Sequence, residues 1–164
     1  MRVLGFDPGT ATVGYGIVEG KGNRLIHIAH GVITTPPDHH FAVRLKTIYD
    51  ECLRLTAEFK PDAVAIEKLY FAKNVTTGLA VAQARGVIAL AAIQSIDTIG
   101  EYSATEVKNA VTGYGKAPKA QVQEMVKMLL NLDEIPRPDD AADALAVAIC
   151  QLSARNYPDL APRE

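Results

Sequence analysis

The sequence has little of several features that would by themselves suggest a function. Its 164 residues include no tryptophan, two cysteines and 6% aromatic residues, and 19 aspartates and glutamates outnumber 17 lysines and arginines. The scarcity of aromatic residues excludes base stacking as the main source of affinity for a nucleic acid. The net charge of −2 excludes a protein that is basic over its whole surface. Cys52 and Cys150 lack CxxC spacing, so we expect reduced core residues in a cytoplasmic protein.

The chain also lacks a long hydrophobic run. The alanine-rich stretch 86–96, which has no charged residue, is too short to span a bilayer, so we expect no membrane association. The N-terminal residues reach Asp7 and Pro8 before an apolar stretch develops, which predicts that there is no secretory signal. An apolar fraction of 48% with 22% charged residues is typical of a globular domain with a buried core.

Length and periodicity predict a single α/β domain over residues 1–155, followed by a flexible tail over 156–164. Alternating apolar residues predict strands, and apolar residues at three- and four-residue spacing predict helices. The predicted elements, in chain order, are strands at 2–7, 12–19 and 24–34, a helix at 40–59, a strand at 62–67, a helix at 77–94, a strand at 97–102, a helix that begins at Ser103, and helices at 119–131 and 139–154. This order favours a mixed five-stranded sheet flanked by helices.

Two carboxylates end strands that are otherwise apolar. Asp7 follows Phe6 at the end of the first strand, and Glu67 follows Ile66 at the end of the fourth. If both strands are central and parallel, their carboxyl ends lie side by side, where open α/β sheets carry their sites. Two structural interpretations also fit the sequence: Asp7 in a strand-ending Asx turn, and Glu67 as an exposed residue paired with Lys68.

The last predicted helix adds two further acids. Asp143 follows Asp140 by three residues, so both lie on one helix face, and the neighbouring alanines let this helix approach a sheet closely. The alternative is structural, because Asp139 is a suitable N-cap and an acid in the first turn gains from the helix dipole.

Four carboxylates close together repel one another unless divalent cations neutralise them. Oxygen ligands favour Mg²⁺ or Mn²⁺ over zinc. Two such ions about 3.5–4 Å apart would activate a water on one side of a phosphodiester and stabilise the leaving oxygen on the other. The pattern therefore predicts metal-dependent phosphodiester hydrolysis.

The four histidines predict no competing site. His39 and His40 are adjacent at the entry to a helix and point in different directions. His27 and His30 are odd-spaced on a strand, so we expect them on opposite faces of the sheet. All four are interpreted as structural or surface residues.

Four segments, in this order, resemble the RuvC family of bacterial Holliday junction resolvases: Gly5–Gly9, Ile66–Asn74, Gln83–Gly86 and Asp140–Ala146. The resemblance covers residues 1 to about 153. It implies an RNase H-like fold and a homodimer that cuts two symmetrically placed strands of a four-way DNA junction during recombination and repair. It also implies a RuvA–RuvB branch-migration complex as partner.

The resemblance implies roles for individual residues. The metal-binding and catalytic acids would be Asp7, Glu67, Asp140 and Asp143, with two Mg²⁺ ions that Mn²⁺ can replace. Tyr70 matches an aromatic residue near the junction centre, and Lys108 and Lys119 match lysines that handle DNA. Clustered cations engage phosphates even on an acidic protein, which adds further candidate DNA contacts. These are Lys73, Arg85 and Lys116.

Functions of three different kinds also fit parts of the sequence. Asp7 to Thr10 resembles the first phosphate loop of actin-like ATPases, but those proteins need two such domains around the nucleotide. An RNase H-like nuclease with a different substrate would carry the same acids, and a non-catalytic junction-binding protein would share the fold. A twofold enzyme matches the two equivalent strands of a junction, and the alanine-rich helix at 77–94, with Val81 and Val87, is the candidate dimer surface.

Overall fold

The computed structural model describes residues 1–9, 11–69 and 75–156; Thr10, Tyr70, Lys73 and residues 157–164 of the predicted tail lie outside this range. The predicted order of strands and helices is confirmed. The elements are β1 (Arg2–Asp7), β2 (Thr12–Lys21), β3 (Arg24–Thr34), α1 (Phe41–Phe59), β4 (Ala63–Glu67), α2 (Val75–Ala92), β5 (Ile99–Tyr102), α3 (Ala104–Thr112), α4 (Lys119–Leu129) and α5 (Asp139–Asn156). In the part of the chain described, no helix has the length and apolarity needed to cross a membrane.

The five strands form one mixed sheet in the order β3-β2-β1-β4-β5. β1 is antiparallel to β2 and parallel to β4, and β4 is parallel to β5. The expectation that the first and fourth strands are adjacent, central and parallel is therefore confirmed. Such strands are buried on both faces, which explains why every residue from Ala63 to Ile66 is apolar and fully buried.

Helices cover both faces of the sheet. Alternate residues of a strand point to opposite faces, so Leu4 and Phe6 belong to the core shared with α1 and α2. Val3 and Ala65 belong to the second core, which contains α3, α4 and α5. Burial of a large apolar side chain contributes about 1.5–3 kcal/mol, so each core holds its helices firmly on the sheet.

α5 lies unusually close to β1 and β2 because glycines face it. A Cβ atom added at Gly5 would lie 2.3 Å from the Ala144 carbonyl oxygen, and one added at Gly14 would lie 1.9 Å from the Asp140 carbonyl oxygen. No side chain fits at either position without moving the helix. The strands therefore fix the position of α5, and with it the acids on its first two turns.

α3 begins where the sequence predicts a capping box. The Ser103 hydroxyl accepts a hydrogen bond from the Glu106 amide at 3.2 Å, and the Ser103 amide donates to the Glu106 carboxylate at 2.7 Å. This reciprocal pair satisfies two amides that the helix leaves free. It also fixes the position of α3 directly after β5.

The prediction that His27 and His30 lie on opposite faces is wrong. Ala29 is paired with Ile17, but His27 is paired with Val18, so Ile28 is an extra residue in β3. This β-bulge shifts the alternation by one residue. Both imidazoles consequently lie on the same face and contact each other.

Candidate active site

Two of the predicted site residues lie side by side at the carboxyl ends of the central strands. Phe6 of β1 is paired with Ile66 of β4, and Asp7 and Glu67 each follow by one residue. Asp7 continues the alternation of Val3 and Gly5, and Glu67 continues that of Ala63 and Ala65. Both side chains therefore point to the face covered by α5. Glu67 is half-buried, and burial and the charge of Asp143 raise its pKa, so the alternative of an exposed strand-end residue is wrong.

α5 places the other two acids over this strand end. Gly14 is the β2 residue paired with Asp7, and it lies directly beneath the Asp140 backbone. Asp143 comes one helical turn further and lines a cleft together with Glu67. The structure thus brings all four predicted acids to one end of the sheet.

Burial and mutual repulsion raise the pKa values of three acids in this cluster. Burial, followed by repulsion from Glu67, Asp143 and Asp140, raises the pKa of Asp7 to about 8. Burial and the charge of Asp143 also raise the pKa of Glu67. The pKa of Asp143 is raised chiefly by burial. Carboxylates whose pKa values are raised by burial and by one another are typical of a functional site.

Two of the predicted DNA-contacting lysines face the cluster. Lys108 of α3 and Lys119 of α4 line a cleft of about 180 Å³ with Glu67 and Asp143. The Lys119 ammonium nitrogen lies 2.9 Å from an Asp143 carboxylate oxygen and 3.5 Å from an Asp139 oxygen. Lys119 therefore supplies part of the positive charge that the acids require.

The acids fit a hard divalent cation by donor chemistry and by charge. The donors are carboxylate oxygens, which Mg²⁺ and Mn²⁺ prefer. The raised pKa of Asp7 shows that Lys119 alone does not neutralise the cluster. Among the described residues, no three carboxylates are close enough to share one ion in the present arrangement, in which Asp143 is bound to Lys119.

Two other predicted DNA-contacting residues, Arg85 and Lys116, do not line this cleft. Arg85 of α2 forms an ion pair with Glu101 of β5, which joins the helix to the edge of the sheet. Lys116 is exposed in the loop between α3 and α4. Tyr70 and Lys73 lie outside the described residues.

Sequence reasoning missed the groups that hold Lys119. Asp139, interpreted only as a cap, forms ion pairs with Lys119 and Arg137. The side chain of Gln123, which lies one turn after Lys119 on α4, is buried beside Asp139. The spacing of four residues between Lys119 and Gln123 was the available signal, because it places both on one helix face.

Known proteins are similar to this chain in fold and in sequence. The model of the family described as crossover junction endodeoxyribonuclease RuvC matches residues 3–151. The protein of that name from Thermosipho melanesiensis is 57% identical over 150 residues, which cover 92% of this chain and 96% of the relative.

Two solved structures from Thermus thermophilus agree with this match. The RuvC structure is 33% identical with a TM-score of 0.88 and covers 96% of this chain and 97% of its own. The structure of RuvC in complex with Holliday junction substrate is 30% identical with a TM-score of 0.86, and covers 95% and 96%. Such similarity over nearly the full length of both chains shows common descent, and the chain therefore belongs to the RuvC family of crossover junction endodeoxyribonucleases.

Proposed function

We propose that this chain, as one nuclease domain over residues 1–155, is a Mg²⁺-dependent endonuclease that resolves four-way DNA junctions by paired nicks. The observation that carries the proposal is the set of acids at the carboxyl ends of β1 and β4, where the pKa of Asp7 is raised to about 8. The family membership supports the same activity. A location in the cytoplasm, where bacterial DNA lies, accords with this function.

Asp7, Glu67, Asp140 and Asp143 are the residues that would hold Mg²⁺ or Mn²⁺. When bound, two such ions supply an activated water and stabilise the leaving oxygen of the phosphodiester. The strand acids define the floor of the site, because their spacing follows from the pairing of β1 with β4. Asp140 and Asp143 close it from the side of α5.

The lysines of the cleft bind and orient the DNA backbone in this proposal. Lys108 and Lys119 line the same cleft as Glu67 and Asp143, so a phosphate bound by them would lie next to the acids. Lys116, which is exposed outside the cleft, remains a proposed contact, and so do Tyr70 and Lys73. Arg85 is also kept as a proposed contact, although its guanidinium already forms an ion pair with Glu101.

A homodimer through α2 is part of the proposal. Leu79, Leu90 and Ile93, on or just after this helix, are 57%, 55% and 52% exposed, which is high for large apolar side chains. Val81 and Val87, the residues singled out from the sequence, are half-buried. A twofold contact along α2 would cover the exposed side chains. The RuvA–RuvB branch-migration complex is the proposed partner at the junction.

The test compares a four-way DNA junction with a linear duplex and an RNA/DNA hybrid in the presence of Mg²⁺. Paired nicks confined to the junction support the proposal, whereas preferential cutting of the hybrid would assign a different nuclease. Asp7→Asn should lower the cutting rate by about a thousandfold or more while junction binding persists, because loss of a metal ligand removes several kcal/mol of transition-state stabilisation. Asp133→Asn, at an exposed acid, is the matched control.

The same experiment separates the enzyme from a non-catalytic junction-binding protein. Binding without Mg²⁺-dependent nicks by the wild-type chain would favour the latter. Retained cutting by Asp7→Asn would refute the assigned site. Sedimentation of the protein at micromolar concentration tests the dimer, and Leu90→Lys should shift it to the monomer.

A further inference from the structure

β3 carries two imidazoles that the proposed nuclease site does not use. His27 Nε2 lies 2.7 Å from His30 Nδ1, and the ring centroids are 4.9 Å apart. β3 forms one edge of the sheet, and both side chains are half-buried there. Two ring nitrogens are therefore held together at an accessible margin of the domain.

The backbone enforces this arrangement. His27 is paired with Val18 and His30 with Gly16, two residues that lie on the same face of β2. The bulge at Ile28 makes the two histidines neighbours on that face. Because bulges depend on the local pairing and not on a flexible loop, the imidazoles stay close without any ligand.

The pair is separate from the acid cluster. Val18 is paired with Val3 and Gly16 with Gly5, so the histidines lie level with the middle of β1. Asp7 is at the end of that strand, and β2 lies between β1 and β3. Each site can therefore bind its own ligand.

Both imidazoles are available as neutral ligands near neutral pH. Burial lowers the pKa of His27, and the neighbouring His30 lowers it further. Burial also lowers the pKa of His30. A neutral imidazole keeps a lone pair on one ring nitrogen, which is the form that binds metals.

We propose that His27 and His30 form a bidentate site for a borderline transition-metal ion such as Zn²⁺, Ni²⁺ or Cu²⁺. Imidazole suits these ions, whereas the acids of the nuclease site suit Mg²⁺ and Mn²⁺. Two nitrogens bound to one tetrahedral zinc at 2.0–2.1 Å lie about 3.3 Å apart, so the facing nitrogens need to separate by about 0.6 Å and the rings to turn until both lone pairs point at the ion.

Metal binding at this pair changes the position of one proton. The hydrogen of the His27–His30 contact sits on one of the two facing nitrogens, and it moves through solvent to the other nitrogen of the same ring. Both rings stay neutral and both lone pairs face the ion. Within the described residues no third side chain completes the site, so water fills the remaining coordination positions.

Zn²⁺ titration by calorimetry, with Mg²⁺ in excess at the acid cluster, tests the site. We expect one Zn²⁺ per chain, with the affinity reduced at least tenfold in both His27→Gln and His30→Gln. His39→Gln, at an exposed histidine before α1, is the matched control and should bind as the wild type does. Cu²⁺ bound to the wild-type protein should show coupling to two imidazole nitrogens in its electron paramagnetic resonance spectrum. This measurement does not depend on the folding of any variant.

The outcomes separate this proposal from that of the nuclease. Cutting of junctions by His27→Gln should be unchanged, and Zn²⁺ binding at β3 should be unchanged in Asp7→Asn. Equal Zn²⁺ affinity in the wild type and both histidine variants overturns the proposal. Loss in only one variant, or a Cu²⁺ spectrum without two nitrogen ligands, overturns the bidentate site as well.

Discussion

Replacing Asp7 by asparagine should stabilise the metal-free protein while abolishing catalysis. In the folded state the pKa of Asp7 is raised from 3.8 to about 8, so the fold binds a proton there that the unfolded chain releases. Stability from this group is therefore lost as the pH rises from about 4 to about 8. At 1.36 kcal/mol per pKa unit the full cost of ionising Asp7 approaches about 6 kcal/mol.

The gain in unfolding free energy measured for Asp7→Asn should be smaller, because water and local movement relieve part of the repulsion. We expect the difference in unfolding free energy between Asp7→Asn and the wild type to grow by about 2–4 kcal/mol from pH 5 to pH 9. The asparagine does not ionise, so the variant lacks this contribution to the pH dependence. This change of stability with pH has the opposite sign to that of an acid held in a salt bridge, which stabilises the fold as the pH rises.

Urea unfolding in the presence of EDTA measures this difference at several pH values. Asp133→Asn is the control, and its unfolding free energy should change with pH as that of the wild type does, because this acid is exposed. Mg²⁺ added at pH 8 should stabilise the wild type more than Asp7→Asn, since a ligand that binds the folded state raises its stability. A difference between Asp7→Asn and wild type that stays constant across the pH range would refute the reasoning.

Three further predictions concern neighbouring contacts. Lys119→Met removes the ammonium that lies 2.9 Å from Asp143, so the affinity of the DNA-free protein for Mg²⁺, measured by calorimetry, should rise about fivefold, while junction cutting falls. Gly14→Ala places a Cβ against the backbone of α5 and should lower the unfolding free energy by about 3 kcal/mol in urea titrations. Glu101→Gln leaves the half-buried Arg85 without its carboxylate and should cost about 1 kcal/mol, and a double-mutant cycle with Arg85→Met measures the coupling.

The order of elements and the position of the strand acids could be predicted because they follow from local patterns. Asp7 and Glu67 interrupt apolar runs, and the parallel pairing of their strands brings them together. The pairing of Arg85 with Glu101 could not be predicted, because it joins a helix to a strand 16 residues away through tertiary packing. Its cationic charge alone suggested DNA as the partner.

The directions of the two β3 histidines also could not be predicted from the sequence. Strict alternation along β3 places His27 and His30 on opposite faces, and a single extra residue in the pairing with β2 reverses this result. No residue in Leu25–Gly31 signals where the bulge lies, because its position is set by the pairing partner. Lys119 likewise has partners on α5, 20 and 24 residues further along the chain.

The close contact between α5 and the glycines of β1 and β2 limits which parts of the site can change during evolution. Asp7 and Glu67 are spaced by backbone hydrogen bonds, and neighbouring strands lie about 4.8 Å apart in any sheet. Substitutions in the core cannot change that spacing without breaking the sheet. Because the glycines also hold the α5 backbone against the sheet, a change of metal preference or of substrate reach must come from side-chain replacements on α5 and α4, over a backbone that stays in place.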